Sequence, residues 1–212
     1  MTQTTLSTTS LTLVRAAEQL VADRGLHGVR ASEVVKAAGH KNNSAIAYHF
    51  GSWEGLLEAV WQLHTGPVNE DRAAFMASAR ADGTFTLARM VEAYVSPLVA
   101  ELRRHQPSYW ARFSEQWLAG IRLDFFALDD AEVARQPNTD AIMVVHGLFT
   151  DIAGELTQIP ESTRARRVAL MARFVIGALA AWEREPATAT GQDLDALEPE
   201  LIRMAVALLT AE

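Results

Sequence analysis

Apolar residues recur at intervals of three and four along almost the whole chain of 212 residues. This spacing is the period of an amphipathic α-helix, and no convincing two-residue alternation of the kind that marks a half-buried β-strand interrupts it. The pattern therefore predicts an all-α protein. The predicted helices cover residues 11–24, 31–38, 42–50, 53–65, 85–104, 107–123, 139–156, 161–185 and 195–210.

Glycine and serine residues divide the front of the chain into short helices. Ser10 is expected to cap the first helix and Gly25 to end it, while Gly39 closes the second helix. Ser52 is expected to cap a fourth helix, which the Gly66-Pro67 pair should kink or split. Three short helices with a glycine-closed turn before the third are the layout of a helix-turn-helix unit.

Charge and cysteine content limit the classes of function. The formal net charge is −7, but all the excess of acidic residues lies after residue 65, so a DNA-binding face in the neutral front segment is permitted. The chain has no cysteine, which excludes disulfides and a thiolate nucleophile and fits a reducing compartment. No basic residue precedes Arg15 and no long apolar run is present, so we expect a cytoplasmic protein with no membrane partner.

A set of front motifs occurs together, in order and at a characteristic spacing: Ala16-Ala17 with Gly25, Ala37-Ala38-Gly39, and "YHFGSWEGLL" from Tyr48. Together they resemble the TetR family of one-component transcriptional regulators. The stretch "AGHKNNSAIAYHFGS" is similar to the branch with one extra residue in the turn. We take residues 1–8 as a disordered tail. The resemblance implies a helix-turn-helix DNA-binding domain (9–55) and a larger helical domain for effector binding and dimerisation (56–212). It also implies a ligand-responsive regulator, most often a repressor, which a small effector releases from its pseudo-palindromic DNA operator.

The third predicted helix offers short, mostly uncharged side chains that suit the major groove, with Ile46 and Phe50 facing inward. Tyr48 and His49 could instead simply complete a surface helix, and Lys41 could be a solvated side chain. Trp53 stands where the family usually has a cation, so it either meets a phosphate through its indole N–H or packs at the domain junction. The residues predicted to lie at DNA are Arg30, Lys41, Asn42, Asn43, Ser44, Ala45, Tyr48, His49 and Trp53.

An aromatic segment, "PSYWARFSEQWLAGIRLDFF", dominates the second predicted domain. Its apolar side chains at helical spacing form either a core stripe or the wall of an apolar cavity for a small apolar or aromatic effector. His146 falls among apolar residues, so it is either a hydrogen-bonded core histidine or a polar anchor for that effector. The predicted ligand-binding residues are Tyr109, Trp110, Phe113, Trp117, Met143 and His146.

The last two predicted helices are apolar on more than one face. One apolar face can cover the protomer's own core, and a second needs a partner, which predicts a homodimer through a four-helix bundle. The alternative is a helix buried centrally within one subunit. The predicted interface residues are Met171, Phe174, Val175, Ala178, Trp182, Leu201, Ala205 and Leu208.

Motifs for catalysis or cofactors are missing from the sequence, which contains no GxSxG, HExxH, Walker-type or GxGxxG element and no metal-ligand spacing of its six histidines. We therefore expect no enzyme activity, no cofactor and no bound metal. An all-α enzyme with a hydrophobic substrate cavity is the alternative, and a protein-binding helical scaffold is a third interpretation. Neither has a need for the helix-turn-helix pattern.

Overall fold

The computed structural model describes residues 6–42, 44–121, 132, 139–185 and 193–211. Nine α-helices and no β-strand occur in these residues, which confirms the predicted all-α class. A short 3-10 helix, Leu26–Gly28, follows the first of them. The helices are α1 (Thr8–Arg24), α2 (Ala31–Ala37), α3 (Ala45–Phe50), α4 (Trp53–Ala81), α5 (Leu87–Arg104), α6 (Trp110–Ala119), α7 (Thr139–Glu155), α8 (Glu161–Arg184) and α9 (Leu194–Thr210).

The small front domain is built by α1, α2 and α3. Leu13, Ala17 and Val21 of α1 are fully buried, and Val34 and Ile46 bring α2 and α3 onto the same core. Helices as short as α2 and α3 are marginal in water, so this shared apolar contact is what holds them in place.

The cap of α1 differs from the prediction. The hydroxyl of Ser7 accepts a hydrogen bond from the Ser10 backbone N–H (3.1 Å), so the helix begins at Thr8 rather than after Ser10. Ser10 is buried instead, and its hydroxyl lies 3.3 Å from Nδ1 of His49. The helix thus takes in the last residue of the predicted tail, whose residues 1–5 lie outside the described residues.

Helix α4 continues unbroken through Pro67, so the predicted split of this helix is wrong. Proline removes one backbone donor, but the turns on either side are anchored by buried Val60 and Val68 against neighbouring helices. The Thr65 hydroxyl donates to the Trp61 carbonyl (2.9 Å) one turn before the proline. Packing over eight turns therefore outweighs the loss of a single helical hydrogen bond.

The larger domain is a layered helical bundle around α5. This helix also contains a proline, Pro97, and it is buried against α4, α7 and α9. Helix α6 packs between α8 and α1, while α8 and α9 pack on each other. Because α1 rests on both α4 and α6, the front domain is supported directly by the helices that build the centre of the bundle. Among the described helices, none is long and apolar enough to cross a membrane.

Candidate DNA-binding surface and effector cavity

The turn that leads into α3 is held by local hydrogen bonds. Gly39 has a φ of +76°, a conformation that favours glycine, and it ends α2. The Asn42 side-chain oxygen then accepts hydrogen bonds from the Ser44 backbone N–H (2.9 Å) and hydroxyl (2.7 Å). This arrangement fixes the start of α3. Asn43, predicted to read bases, lies outside the described residues.

The outward face of α3 differs by one position from the expected one. Tyr48 is 84% exposed, and Ser44 and Ala47 are also exposed. Ala45 is only 9% exposed and packs in the core beside Ile46, so its predicted place at DNA is wrong. Each residue turns a helix by about 100°, so an exposed face centred on Ser44 leaves Ala45 on the side of buried Ile46. The sequence signal missed was the spacing of Ser44, Ala47 and Tyr48, which is i, i+3, i+4.

His49 serves α1 rather than the outward face. It is half-buried, and its Nδ1 contacts the Ser10 hydroxyl, whereas we had expected it at DNA. His40 makes a similar link to α1, with its Nε2 lying 3.1 Å from the Thr12 hydroxyl. The ring of His49 also stands edge-on to the Tyr48 ring, with centroids 4.9 Å apart. His49 thus supports Tyr48 and ties α3 to α1.

Arg30 precedes α2 and leaves its side chain exposed. The missing Ser or Thr cap is compensated by Glu33, whose carboxylate accepts the Arg30 backbone N–H (2.9 Å) and the Arg24 guanidinium (2.7 Å). Those two contacts, the backbone one first, lower the pKa of Glu33. The guanidinium of Arg30 remains available to a phosphate.

Residues 1–65 are neutral by count, but the surface of the front domain is not. Three of its acidic side chains are engaged: Glu18 is buried 3.0 Å from His64, Asp23 pairs with Arg112, and Glu33 pairs with Arg24. Four exposed cations have no carboxylate partner among the described residues: Arg15, Arg30, Lys36 and Lys41. The surface around α2 and α3 therefore presents uncompensated positive charge, as phosphate binding requires.

Trp53, the first residue of α4, is half-buried and packs against the core. Of its two alternative roles, the packed one at the domain junction agrees with this position. The helix is capped by the Ser52 hydroxyl, which accepts the Gly55 backbone N–H (3.0 Å), as the sequence predicted.

A cavity of about 130 Å³ lies in the larger domain between α4, α5, α6, α7 and α8. Its walls are mainly apolar, and the aromatic members of the lining are Trp61, Tyr94, Trp110, Trp117 and Phe149. The structure thus places two of the six predicted ligand-binding residues, Trp110 and Trp117, on the wall.

The other four predicted ligand-binding residues do not line the cavity. Phe113 is fully buried behind the wall, stacked on Trp110 and Trp117 at centroid distances of 6.4 and 6.1 Å. Tyr109 packs under the Arg112 guanidinium, and Met143 is exposed on the outer side of α7. His146 is buried off the wall. An apolar helix face contains more residues than can line a cavity of this size, so the others pack in the core or lie outside it.

Two cationic side chains on the cavity wall, Arg72 and Arg173, were missed by the sequence analysis. Arginine is rarely buried, and the sequence analysis named neither residue. A signal was present for Arg72, because Val68, Arg72 and Met76 are spaced by four residues on one apolar stripe of α4.

Next to the cavity, a buried ion-pair cluster joins α1, α4 and α5. Nδ1 of His64 lies 2.6 Å from Glu101 Oε1, and its Nε2 lies 3.0 Å from Glu18 Oε1, an ion-pair distance without good hydrogen-bond alignment. Burial alone would lower the pKa of His64, but the two carboxylates outweigh it and raise the pKa to about 9. Its ring stacks on Trp110 with centroids 4.7 Å apart, which connects the cluster to the cavity wall.

Glu101 is the shared anion of this cluster. Burial opposes its ionisation, yet hydrogen bonds from His64 and Arg104 lower its pKa. His105 also approaches it, so the side-chain donor atoms of His64, Glu101 and His105 lie within 4.8 Å of one another. We assign this group to ion pairing, because each ring nitrogen of His64 faces a carboxylate oxygen, the arrangement that suits a protonated imidazole.

Helix α6 is held at its first turn by a residue of α8. The Glu183 carboxylate accepts the Ser108 hydroxyl (2.6 Å) and the backbone N–H groups of Ala111 (3.0 Å) and Arg112 (2.8 Å). Burial raises the pKa of Glu183 although these hydrogen bonds act in the opposite direction. Arg112 continues the link to α1, where its guanidinium donates to Asp23 (2.9 Å).

The predicted dimer residues fall on two different faces of α8 and α9. Met171, Val175, Leu201 and Ala205 are at most 1% exposed within the single chain, so their assignment to an interface is wrong. They face α5, α6 and the other helices of their own protomer. Ala178 and Trp182 are half-buried. The face that remains open, here called the outer stripe, consists of Leu170 (44% exposed), Met204 (48% exposed) and half-buried Phe174 and Leu208.

Comparison with known proteins agrees with the geometry of the front domain. Residues 13–60 match the family model of bacterial regulatory proteins, tetR family. The N-terminal domain belongs to the TetR family. This match covers α2, the turn and α3, together with most of α1 and the first turns of α4. The TetR-type domain therefore includes the exposed face of Ser44, Ala47 and Tyr48. No curated protein sequence matches the chain.

One solved structure extends the likeness of fold to almost the whole chain. A Shewanella sp. PV-4 protein assigned to the TetR family of transcription regulators is 14% identical, with 96% of both chains covered and a TM-score of 0.52, and it shares the fold. A TetR-family regulator from Streptomyces coelicolor A3 is 19% identical, with 95% of this chain and 94% of that chain covered and a TM-score of 0.43. Salmonella enterica GusR is 18% identical, with 99% of both chains covered and a TM-score of 0.41.

Proposed function

We propose that the protein is a cytoplasmic, homodimeric transcriptional regulator that represses by binding a pseudo-palindromic operator and leaves it when a small effector occupies the cavity. The observation that carries the proposal is the exposed face of α3 within a TetR-type domain, flanked by cations without carboxylate partners among the described residues.

Each exposed group has a role that suits its chemistry. Ser44 and Ala47 are short enough for the helix to enter the major groove, where a methyl group contacts thymine and a hydroxyl reads either base. Tyr48, Arg30 and Lys41 lie at the edges of this face or at the preceding turn and are suited to phosphate oxygens. Trp53 supports the domain from inside rather than contacting DNA.

Effector binding would reach the DNA-binding domain through α1. Trp110 lines the cavity, stacks on His64 and so adjoins Glu18 of α1, while Arg112 of the same helix binds Asp23 of α1. An effector that prefers a displaced Trp110 would shift α1 and, with it, α2, which packs on α1, and α3, which His49 ties to α1. The operator affinity then falls by the ratio of effector affinities for the two conformations.

Dimerisation would use the outer stripe of α8 and α9. Two copies of this stripe related by a two-fold axis form a four-helix contact with apolar side chains at its centre. In such a dimer the two α3 helices meet half-sites separated by about 34 Å, one turn of DNA, or somewhat more.

The test is operator binding measured by fluorescence anisotropy, with duplexes from the upstream region of the protein's own gene and a shuffled duplex of equal length as control. We expect preferential binding of one native duplex by a dimer, with affinity that decreases steeply as salt increases. Equal affinity for native and shuffled duplexes at fixed salt would contradict a specific regulator.

The same assay tests Tyr48. Replacing Tyr48 by Phe removes one hydroxyl from a side chain that is 84% exposed, so folding should be unaffected. If that hydroxyl binds a phosphate, Tyr48→Phe weakens every duplex by a similar factor, worth about 1 kcal/mol per contact. Tyr109→Phe, a change of the same atoms far from α3, is the matched control and should leave affinity unchanged. An unaltered affinity for Tyr48→Phe would remove Tyr48 from the interface.

A further inference from the structure

The cavity contains a buried positive charge that no described acidic side chain neutralises. Arg72 is 3% exposed, and its guanidinium donates only to neutral oxygens: the Asn69 side chain (2.5 Å) and the backbone carbonyls of Ala93 (3.3 Å) and Tyr94 (3.5 Å). Burial lowers the pKa of Arg72 to about 10, which still leaves it charged at neutral pH. A buried charge without a counterion is costly, so its presence calls for an explanation.

Part of the explanation is structural. Pro97 has no backbone N–H, so the Ala93 carbonyl one turn earlier loses its helical partner, and Arg72 supplies one. A neutral donor such as glutamine could do the same without burying a charge. Satisfying the break in α5 therefore accounts for the hydrogen bonds of Arg72 but not for its positive charge.

The rest of the described lining also suits an anion. It contains a second cation, Arg173, and no Asp or Glu. Trp110 is 2% exposed, lines the cavity, and its indole N–H has no acceptor among the described residues. Buried donors left without an acceptor are rare in proteins, and a ligand oxygen can provide one.

Size and wall chemistry limit the rest of the ligand. Apolar cavities of about 150 Å³ accept one benzene ring, and this cavity measures about 130 Å³. Five aromatic side chains line it, and Trp61 and Trp117 stack on each other with centroids 6.1 Å apart. Such walls favour a flat ring.

We propose that the effector of this cavity is a single-ring aromatic carboxylate, whose carboxylate pairs with Arg72 and whose ring packs among the tryptophans. This inference rests on the proposed function and specifies the ligand class of its cavity.

The test compares benzoate with benzamide, which has nearly the same shape and no charge. Binding of each to the full-length protein without DNA is measured by isothermal titration calorimetry at pH 7.5. Because hydrogen bonds to charged groups are the stronger ones, we expect benzoate to bind about 10-fold to 100-fold more tightly. Equal binding of the two compounds, or binding of neither, would overturn the proposal.

Variants assign the preference to one residue. Arg72→Met should bring the benzoate-to-benzamide ratio close to one, whereas Arg80→Met, an exposed arginine two turns further along α4, should preserve it. Arg72→Lys keeps the charge and should retain part of the preference, which provides a second variant if Arg72→Met does not fold. A ratio that survives in a folded Arg72→Met protein would contradict the role of Arg72.

Operator binding without ligand separates this inference from the proposed function. Specific operator binding together with no benzoate preference would refute the ligand class and leave the regulator standing. Preferential benzoate binding without specific binding of any operator duplex would support the ligand class and refute the proposed function as a regulator.

Discussion

Trp53 lies where the DNA-binding domain meets α4, and its packing gives it a mechanical role. A half-buried indole that contacts the core helps to fix the angle between α3 and α4. Full burial of a large apolar side chain is worth about 1.5–3 kcal/mol, so its loss is measurable even at half that burial. We propose that the position that the family usually gives to a cation serves for support in this protein.

The variant Trp53→Lys distinguishes support from DNA contact. We expect it to lower the free energy of unfolding by about 1–2 kcal/mol and to weaken operator binding at every salt concentration, with the slope of log affinity against log salt unchanged. Trp53→Phe, which keeps an aromatic ring, is the control and should lose less stability. A slope that steepens by about 2 × 0.9 for a dimer would instead place residue 53 at a phosphate.

At the scale of single residues, the sequence predicts which segment of the chain forms a site more reliably than it predicts which face of a helix each residue occupies. Tyr48 is exposed as expected because α3 has only six residues, and Ile46 and Phe50 occupy its inner face. Ala45 is not, because alanine fits either face and the start of α3 depends on the Asn42 turn. The burial of Arg72 had one sequence signal, its place on an apolar stripe of α4. Its hydrogen-bond partners could not be predicted, since one of them is the Ala93 carbonyl, which a proline 25 positions later leaves free.

At the scale of helices, α8 illustrates why an apolar pattern predicts burial without saying which partner provides it. Leu170 and Met171 are adjacent, yet one is 44% exposed and the other is fully buried. The sequence correctly indicates that α8 is apolar on more than one face. Only the packing of α6, α7 and α9 decides which face is internal, and that arrangement depends on contacts distant in sequence.

Substitutions at the adjacent residues Leu170 and Met171 test whether the outer stripe is the dimer interface. Leu170→Glu places a charge on the exposed face, so we expect a folded monomer in place of a dimer, with little change in melting temperature beyond the lost association. Met171→Glu buries an unpaired carboxylate and should destabilise the fold by more than 3 kcal/mol. Light scattering after size exclusion and thermal denaturation measure the two effects. A dimer that persists in Leu170→Glu would place the interface elsewhere.

At the scale of the whole molecule, the charge cluster around His64 connects the parts that a regulator must connect. It joins α1 of the DNA-binding domain to α4 and α5 of the larger domain, and it adjoins the cavity through Trp110. The ionisable groups around His64 are Glu18 of α1, Glu101 and Arg104 of α5, and His105, which follows α5. Arg104 is also paired with Asp71 of α4. The cluster is most stable when His64 carries a proton, because two carboxylates then share it.

This ionisation gives a pH dependence with a definite sign. The pKa of His64 is about 9 in the fold and 6.5 without its partners, so the folded state binds the proton more tightly. The stabilisation is fully present below pH 6.5 and is lost as the pH rises through 9, and by linkage it amounts to about 3 kcal/mol. We therefore expect the free energy of unfolding to decrease between pH 6.5 and 10 in chemical denaturation. His64→Gln, which cannot take up this proton, should be less stable at pH 6.5 and should lack most of the decrease, whereas His105→Gln, at the half-exposed edge of the cluster, should retain it. If the wild-type protein and His64→Gln show parallel curves, His64 is neutral in the fold and does not hold Glu18 of α1 against Glu101 of α5 by charge.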